Sequence, residues 1–524
     1  MVSHFQRSRI NIVHDLPPET WSEILSSVNL PDVINFSAAG SSYLKSIAEA
    51  HPKFWRGIQV ALDSNVHLIT RQCETAAAVG GRTIKLTLDL AIWTDGENAL
   101  VPEPESQRTV QQAEHISNLV AITTRFIAIA DDIYITVSPM DFVSVDPWLQ
   151  QAAPKLDCLH VGIHNQRLLY GDEDRIYTLP DNLFLGQAPR LASISLFDAH
   201  PPESSQVWLP SVRTFDFSGC VSSNGLTLPT GFQTLLPQVT SLKLSGETIG
   251  DLEPDPDASL TSSATLTDVE IDFIYGGENA RICNILPTQH LKRLRMTTNA
   301  YDKENILAFS RKIQDLSSPL SVTLAAQHHE LIEVTFTSHA GPTRPSRTLM
   351  VDTSQPHGIN TESTENLWRL NEPDFMRASV TKVLNLLSMA ARQRKIQELI
   401  MDVSAGPNVI AECLKQLPDA EDLVLVAHSG PKRDWLLPCN SWSPNADAVC
   451  DVRLGSLRKV AVDMNGCIDQ EIRLSDDDVD TIVTLGQRLP LPHLVQFKIS
   501  PDAQSVFEQF YARSNDSDAI AEAM

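Results

Sequence analysis

The chain has 524 residues, 42% hydrophobic and 20% charged, an ordinary globular balance with length for roughly three domains or one long repeat array. Asp and Glu outnumber Lys and Arg 65 to 41, a formal net charge of −24. That sign disfavours a nucleic-acid or anionic-membrane partner, because both need a basic surface.

The N-terminus, MVSHFQRSRINIVHDLPPE, has no unbroken apolar core of signal-peptide length. The nearest candidate for a membrane span, LVAITTRFIAIA at 119–130, is short and is broken by Arg125. The cysteines at 73, 158, 220, 283, 413, 439, 450 and 467 form no CxxC pair. Free thiols in a reduced cytoplasmic or nuclear compartment are the expectation.

The densest signal lies between 16 and 55. Leu16-Pro17-Pro18-Glu19 opens a helix, with proline in the first turn and Glu19 at its positive end. Trp21, Ile24, Leu25 and Val28 then make one apolar stripe. Leu30-Pro31 breaks it, and Asp32 is the expected cap of a second helix carrying Val33, Ile34 and Phe36. Gly40-Ser41-Ser42 breaks again, Tyr43, Leu44 and Ile47 mark a third helix, and Pro52 ends it before Phe54-Trp55. On pattern alone this is equally a helical cap of a larger domain.

These residues resemble the F-box: Leu16-Pro17-Pro18-Glu19, Ile24-Leu25, Leu30-Pro31-Asp32-Val33-Ile34, Tyr43 and Pro52-Lys53-Phe54-Trp55 follow its order and spacing. The resemblance covers about forty residues. Ala39-Gly40-Ser41-Ser42 stands where that family has a valine, a small residue and a basic pair. The resemblance implies docking on a Skp-type adaptor, and through it a cullin, by Leu16, Pro17, Ile24, Leu25, Leu30, Pro31, Val33, Ile34 and Trp55. An apolar helical patch is costly unless a partner covers it, which agrees with that role.

Farther along, residues 82–88 and 133–137 alternate like strands, and 97–107 reads as an acidic proline-containing loop. From 155 an L-x-x-L-x-L motif returns: Leu156/Leu159/Val161, Leu191/Ile194/Leu196, Val212/Phe215/Phe217, Val239/Leu242/Leu244, Leu266/Val269/Ile271 and Leu291/Leu294/Met296. Later copies are Ile396/Leu399/Met401, Leu423/Leu425, Leu457/Val460/Val462 and Leu494/Phe497/Ile499. Most first positions in the early block step by 21–27 residues, the period of leucine-rich repeats. Helices are predicted over Val380–Gln393 and Asp478–Gln487, a β-hairpin over 320–338 and a polar loop over 339–358.

The expected fold is α/β: a three-helix F-box-like head followed by an irregular leucine-rich-repeat solenoid with a parallel sheet. Its predicted parts are the head at 1–60, a transition and capping region at 61–150, and repeat block one at 151–300. An insertion with hairpin and loop follows at 301–395, then repeat block two and a C-terminal cap at 396–524.

Aligning the repeats puts Asp216, Lys243, Glu270 and Arg295 in one alternating charge row on the concave face, beside Asp268 and Arg293. The same row later reads Ile400, Val424, Ala461, Lys498. Ile400 and Val424 are therefore expected to bind a target or to lie beneath 301–358.

The sequence has no Walker loop, G-x-S-x-G, H-E-x-x-H or G-x-G-x-x-G pattern. His328-His329-Glu330 reads as a hairpin tip, and Asp476-Asp477-Asp478 with Asp480 as helix N-terminal charge. No catalytic residue, metal or cofactor is expected, and a hydrolase with an unrecognised site ranks far below a binding protein. The expected function is a non-enzymatic substrate-recognition subunit of a cullin-based ubiquitin ligase, holding an unidentified protein target on its repeats. The alternative is a leucine-rich-repeat interaction scaffold without ligase attachment, motivated by the Gly40-Ser41-Ser42 stretch.

Overall fold

The structure, a computed structural model, describes residues 16–38, 41–79, 83–90, 110–138, 142–163, 177–202, 209–219, 236–246, 265–273, 278–286, 290–299, 302–328, 331–341, 343–352, 372–402, 407–426, 456–463 and 496–499. The chain is α/β with a mostly parallel sheet. It divides into two compact units, one of residues 1–242 and 250–254, the other of 243–249 and 255–524.

The first unit begins with short helices whose ends the sequence dictates. Helix α1 (Pro18–Ser27) starts on proline with Glu19 in its first turn, and buries Trp21 and Leu25. Helix α2 (Leu30–Ala38) begins earlier than expected. Its cap is Asn29, whose Oδ1 accepts the Asp32 N–H at 2.9 Å, so Asp32 is a first-turn charge and not the cap. The Ser41 hydroxyl caps α3 (Ser42–Ala50). Pro52 then opens a fourth, one-turn helix, α4 (Pro52–Trp55), with Phe54 and Trp55 buried.

Strand β1 (Gly57–Ala61) follows α4 directly, and α5 (Val66–Ala78) is capped by Asn65. The Gln72 Nε2 of α5 donates to the Phe54 carbonyl at 2.7 Å in a buried setting. The helical head is thus continuous with the sheet.

Parallel pairing runs from β1 to β2 (Ile84–Asp89), β3 (Ala130–Val137), β4 (Cys158–Ile163), β5 (Ser193–Phe197) and β6 (Thr214–Gly219). Helices α6 (Val110–Thr124) and α7 (Phe142–Leu149) lie before and after β3 in the chain. Among the described residues the parallel strands begin at Gly57, and those of 61–150 include parallel strands and helices. The early units escape a leucine search because their first apolar positions are Trp55, ahead of Ile58 and Val60, and Ala130, ahead of Ile133 and Ile135, all buried.

One local geometry recurs at the strand starts. A single carbonyl accepts two successive N–H groups of the next strand: Asp157 from Ala192 and Ser193, Ala192 from Arg213 and Thr214, Arg213 from Thr240 and Ser241. In the second unit Thr267 does the same for Lys292 and Arg293, and Glu421 for Arg458 and Lys459, all at 2.7–3.1 Å. Buried first positions, such as Leu156, Leu191 and Val212, sit just upstream.

Strand β7 (Ser241–Gly246) contains the division between the units. In the second unit β8 (Asp268–Phe273) pairs in parallel with β9 (Arg293–Asn299). The segment 301–395 enters with α9 (Lys303–Gln314), β10 (Leu320–His328), β11 (Leu331–Ser338) and β12 (Ser346–Asp352). Strands β10 and β11 form the predicted hairpin, and β11 pairs antiparallel with β12. Strand β12 occupies part of the stretch expected as a polar loop. Its buried Leu349, Met350 and Val351 outweigh the Gly, Pro and His upstream of it.

This meander lies within the sheet: β12 joins β9 and β10 joins β13 (Ile396–Asp402), both in parallel. The parallel series continues to β14 (Asp422–Val426), β15 (Lys459–Asp463) and β16 (Gln496–Ile499). Gln397 is an extra residue in β13 opposite the Leu320–Ser321 step, a bulge that keeps Val322 opposite Leu399. The second unit also holds helices α8 (Glu278–Ile285), α10 (Glu372–Gln393) and α11 (Pro407–Gln416).

Alternation sorts the strand residues. Leu399, Met401, Leu423 and Leu425 are at most 1% exposed, while Ile400 and Val424 between them are half-buried. Buried polar groups tie helices to strands. Asn279 accepts the Phe273 N–H and donates to the Phe273 and Thr297 carbonyls. Lys312 donates to the Leu286 carbonyl just past α8, and Arg347 to the Leu291, Lys292 and Ser346 carbonyls. Backbone oxygens thus solvate two buried cations. Among the described residues no helix is long and apolar enough to cross a membrane.

Because Trp55 is 2% exposed at the joint between head and sheet, Trp55→Ala is expected to cost ~3–5 kcal/mol. Denaturant unfolding of the full chain checks this, and an unchanged midpoint would contradict the placement of Trp55 in the core.

Candidate functional site

The positions singled out in the head separate by exposure. Ile24 is 37% exposed, Pro17 and Pro31 are exposed, and Leu16, Leu30 and Ile34 are half-buried. Leu25 and Val33 are 1% and 0% exposed, and Trp55 is 2% exposed. These three are packed inside the chain and are withdrawn as contact positions. Leu25 lies on the inner stripe of α1, Val33 on that of α2, and Trp55 fills the first apolar position ahead of β1. What remains is a surface of Leu16, Pro17, Ile24, Leu30, Pro31 and Ile34.

Polar contacts hold that surface in shape. The Tyr43 hydroxyl donates to the Leu16 carbonyl at 3.0 Å. The Lys53 ammonium donates to the Ser26 and Val28 carbonyls at 2.6 Å each, capping the C-terminal end of α1 from the α4 turn. The His51 Nδ1 accepts the Lys53 N–H at 3.3 Å, capping α4, and its Nε2 lies 3.3 Å from the Ser26 hydroxyl. That pattern puts the neutral ring's proton on Nε2. Burial, and then the Lys53 charge, lower the His51 pKa.

On the sheet, pairings give one row across the second unit. Glu270 stands opposite Arg295, Arg295 opposite Thr348, Thr348 opposite Thr335 and Thr335 opposite Thr323. The row continues through Ile400, Val424, Ala461 and Lys498. Lys243 Nζ lies 3.5 Å from Glu270 Oε1, and Arg293 Nε 3.0 Å from Asp268 Oδ1. Asp216 belongs to the first unit, opposite Ser195. The Arg293 side chain is 80% exposed, so such pairs contribute only ~0–1 kcal/mol.

The expectation that Ile400 and Val424 lie beneath 301–358 fails for its described strands, which stand beside Ile400 in the plane of the sheet. Sequence reasoning also missed a stack in the first unit. There Lys85 Nζ lies 3.8 Å above the Tyr134 ring, whose centroid is 5.5 Å from that of His160. The alternation places these residues on one face of the strands, which was the available signal.

Cys73, Cys158, Cys283 and Cys413 are free. Burial pushes the Cys73 and Cys413 thiols up to about 12, and those of Cys158 and Cys283 to about 11. None of the four is poised as a nucleophile. Cys220, Cys439, Cys450, Cys467, His329, Glu330, the Asp476–Asp480 stretch and the helix predicted over 478–487 lie outside the described residues. Among the described residues no group of three or more His, Cys, Asp or Glu could hold a metal ion. A cleft of about 510 Å³ between α6 and α7 is lined by Ser117, Val120, Ala121, Thr124, Ser144 and Pro147, with no ionisable side chain. No protein-family model matches the chain, and no curated protein matches it.

The His51 cap sets a pH dependence. Its folded pKa is lowered from 6.5, so the neutral ring favours folding. The associated stability is full above the unfolded value and is lost as pH falls through the folded one. Protonation places a hydrogen on Nδ1, facing the Lys53 N–H that Nδ1 now accepts. Denaturant midpoints between pH 7.5 and 5 are expected to fall more in the native chain than in His51→Asn. Asn can cap the same turn without titrating, and equal slopes would contradict this account.

Proposed function

We propose that the chain is the substrate-recognition subunit of a Skp-cullin-F-box type ubiquitin ligase. The head binds the Skp-type adaptor, and the strand-and-helix units, taken as an irregular leucine-rich-repeat solenoid, hold a protein target. The observation that carries the reading is the apolar surface of Leu16, Pro17, Ile24, Leu30, Pro31 and Ile34 on two consecutive short helices and the two residues that lead into the first. Ile24 is among the few exposed large hydrophobic side chains of the described residues, and such a patch is stabilised when a partner covers it. The recurring double-acceptor carbonyl supports the solenoid, since repeats of one unit reproduce one local geometry. In this role the chain performs no chemistry. It brings a bound target to catalytic components carried by other subunits.

One observation favours the scaffold reading without ligase attachment. Leu25, Val33 and Trp55, three of the positions the F-box resemblance assigns to the adaptor, are consumed by the chain's own core. Adaptor capture decides between the two. The full chain is expected to capture a purified Skp-type adaptor, and Ile24→Asp or Leu16→Asp to abolish capture. Each puts a charge into a desolvated contact, at about 2–4 kcal/mol. Ile24→Asp alters an exposed position, so its fold is expected to stay intact. Failure of the native chain to capture the adaptor, or unchanged capture by both variants, would leave the scaffold reading.

A further inference from the structure

Charges on the sheet's half-exposed face are balanced in one place and unbalanced in another. Across β7, β8 and β9 the signs alternate, and Lys243–Glu270 and Arg293–Asp268 neutralise each other. Across β10, β11 and β12 the central row is uncharged threonine, with the Thr335 and Thr348 hydroxyls 2.9 Å apart. At β13 and β14 the row becomes Ile400 and Val424, directly opposite each other and half-buried.

Acidic positions flank this apolar pair. Residues two apart on a strand share a face, so Glu398 flanks Ile400 along β13, and Asp422 flanks Val424 along β14. Glu398 pairs with Asp422 across the strands. Among the described residues the cations nearby are few. Lys459 reaches Asp422 only at 4.0 Å, and Glu398 has His339 at 3.8 Å, a partner charged only when protonated. The chain as a whole carries −24.

We propose that this part of the face binds an extended basic–apolar segment of the target protein. Its apolar side chain rests on Ile400 and Val424, and a lysine or arginine two residues away meets the Glu398–Asp422 pair. The spacing follows from strand geometry: residues i and i+2 of an extended peptide advance by ~6.6 Å, as do 398 and 400. The recognised pattern is a basic residue two positions from an apolar one, and a probe with lysine on both sides presents it in either chain direction. This inference rests on the reading of the repeats as the target-holding part, and it names the chemistry of the target.

The test is fluorescence anisotropy of the full chain with labelled nonapeptides of serine and threonine. The probe carries lysine, valine and lysine at its third, fifth and seventh positions. One control replaces both lysines with glutamate, and another replaces the valine with serine. At ~0.1 M salt the probe is expected to bind roughly tenfold more tightly than either control. Glu398→Gln and Ile400→Thr are each expected to weaken it by about threefold or more, with circular dichroism unchanged because both side chains keep their shape in a strand. Equal binding of the serine control would reduce the effect to general electrostatics and overturn the proposal. So would full affinity in both variants, or no binding of the probe. Adaptor capture is a separate readout on the head, so its failure and the failure of peptide binding are distinguishable.

Discussion

The structure depends on one constraint, the period-two alternation of strand side chains held in register from strand to strand. Each described unit offers two apolar residues to the buried face, such as Ile58 and Val60, Phe215 and Phe217, or Leu423 and Leu425. A slip of one residue at any pairing would turn those side chains outward and bring polar ones in. At ~25 cal/mol per Å² of apolar surface that cost is prohibitive. The bulges at Asp131 and Gln397 show the constraint acting: each absorbs an extra residue so that the buried positions stay aligned. The rows on the other face, charged or apolar, are the consequence.

The same constraint decides what the head can do. Trp55 is both the last residue of the helical head and the first apolar position of the first strand unit. Phe54 beside it is buried, and its carbonyl is held by Gln72 of α5. A residue serving both as hinge and as core is not free to meet a partner. A head of this kind presents only its outer stripe, on which Pro17, Ile24 and Pro31 are exposed. The His51 and Lys53 caps then fix the angle between α1 and α4, so the outer stripe is held by contacts that do not use it.

Much of this was legible in the sequence where local chemistry and global packing agree. Prolines at 18 and 52 mark helix starts because proline suits a first turn. The Ile400–Val424–Ala461–Lys498 row follows from aligning L-x-x-L-x-L copies, since the apolar triples pin the register. Features that escaped notice had no local mark. Asn29 and Asp32 are both good caps, and only the backbone path chooses between them. Strand β12 sits close behind Gly341 and Pro345, so composition alone reads loop. Lys312 and Arg347 look like surface charges until tertiary packing surrounds them with carbonyls. The exposure of Ile24 against the burial of Leu25 is a matter of which helix face meets α3, and adjacent apolar letters do not show it.

Register between the inserted meander and the later strands is the central claim, because it keeps the described strands of 301–358 in the sheet and leaves Ile400 facing outward. Thr323 and Ile400 are directly paired, and neighbouring Cα atoms across a sheet lie ~5 Å apart, within disulfide reach. The direct measurement is mild oxidation of the double variant Thr323→Cys with Ile400→Cys, followed by peptide mapping. Alongside it runs the slipped pair Thr323→Cys with Leu399→Cys. The account predicts a bridge in the first and little in the second, and preferential bridging of the slipped pair would contradict it.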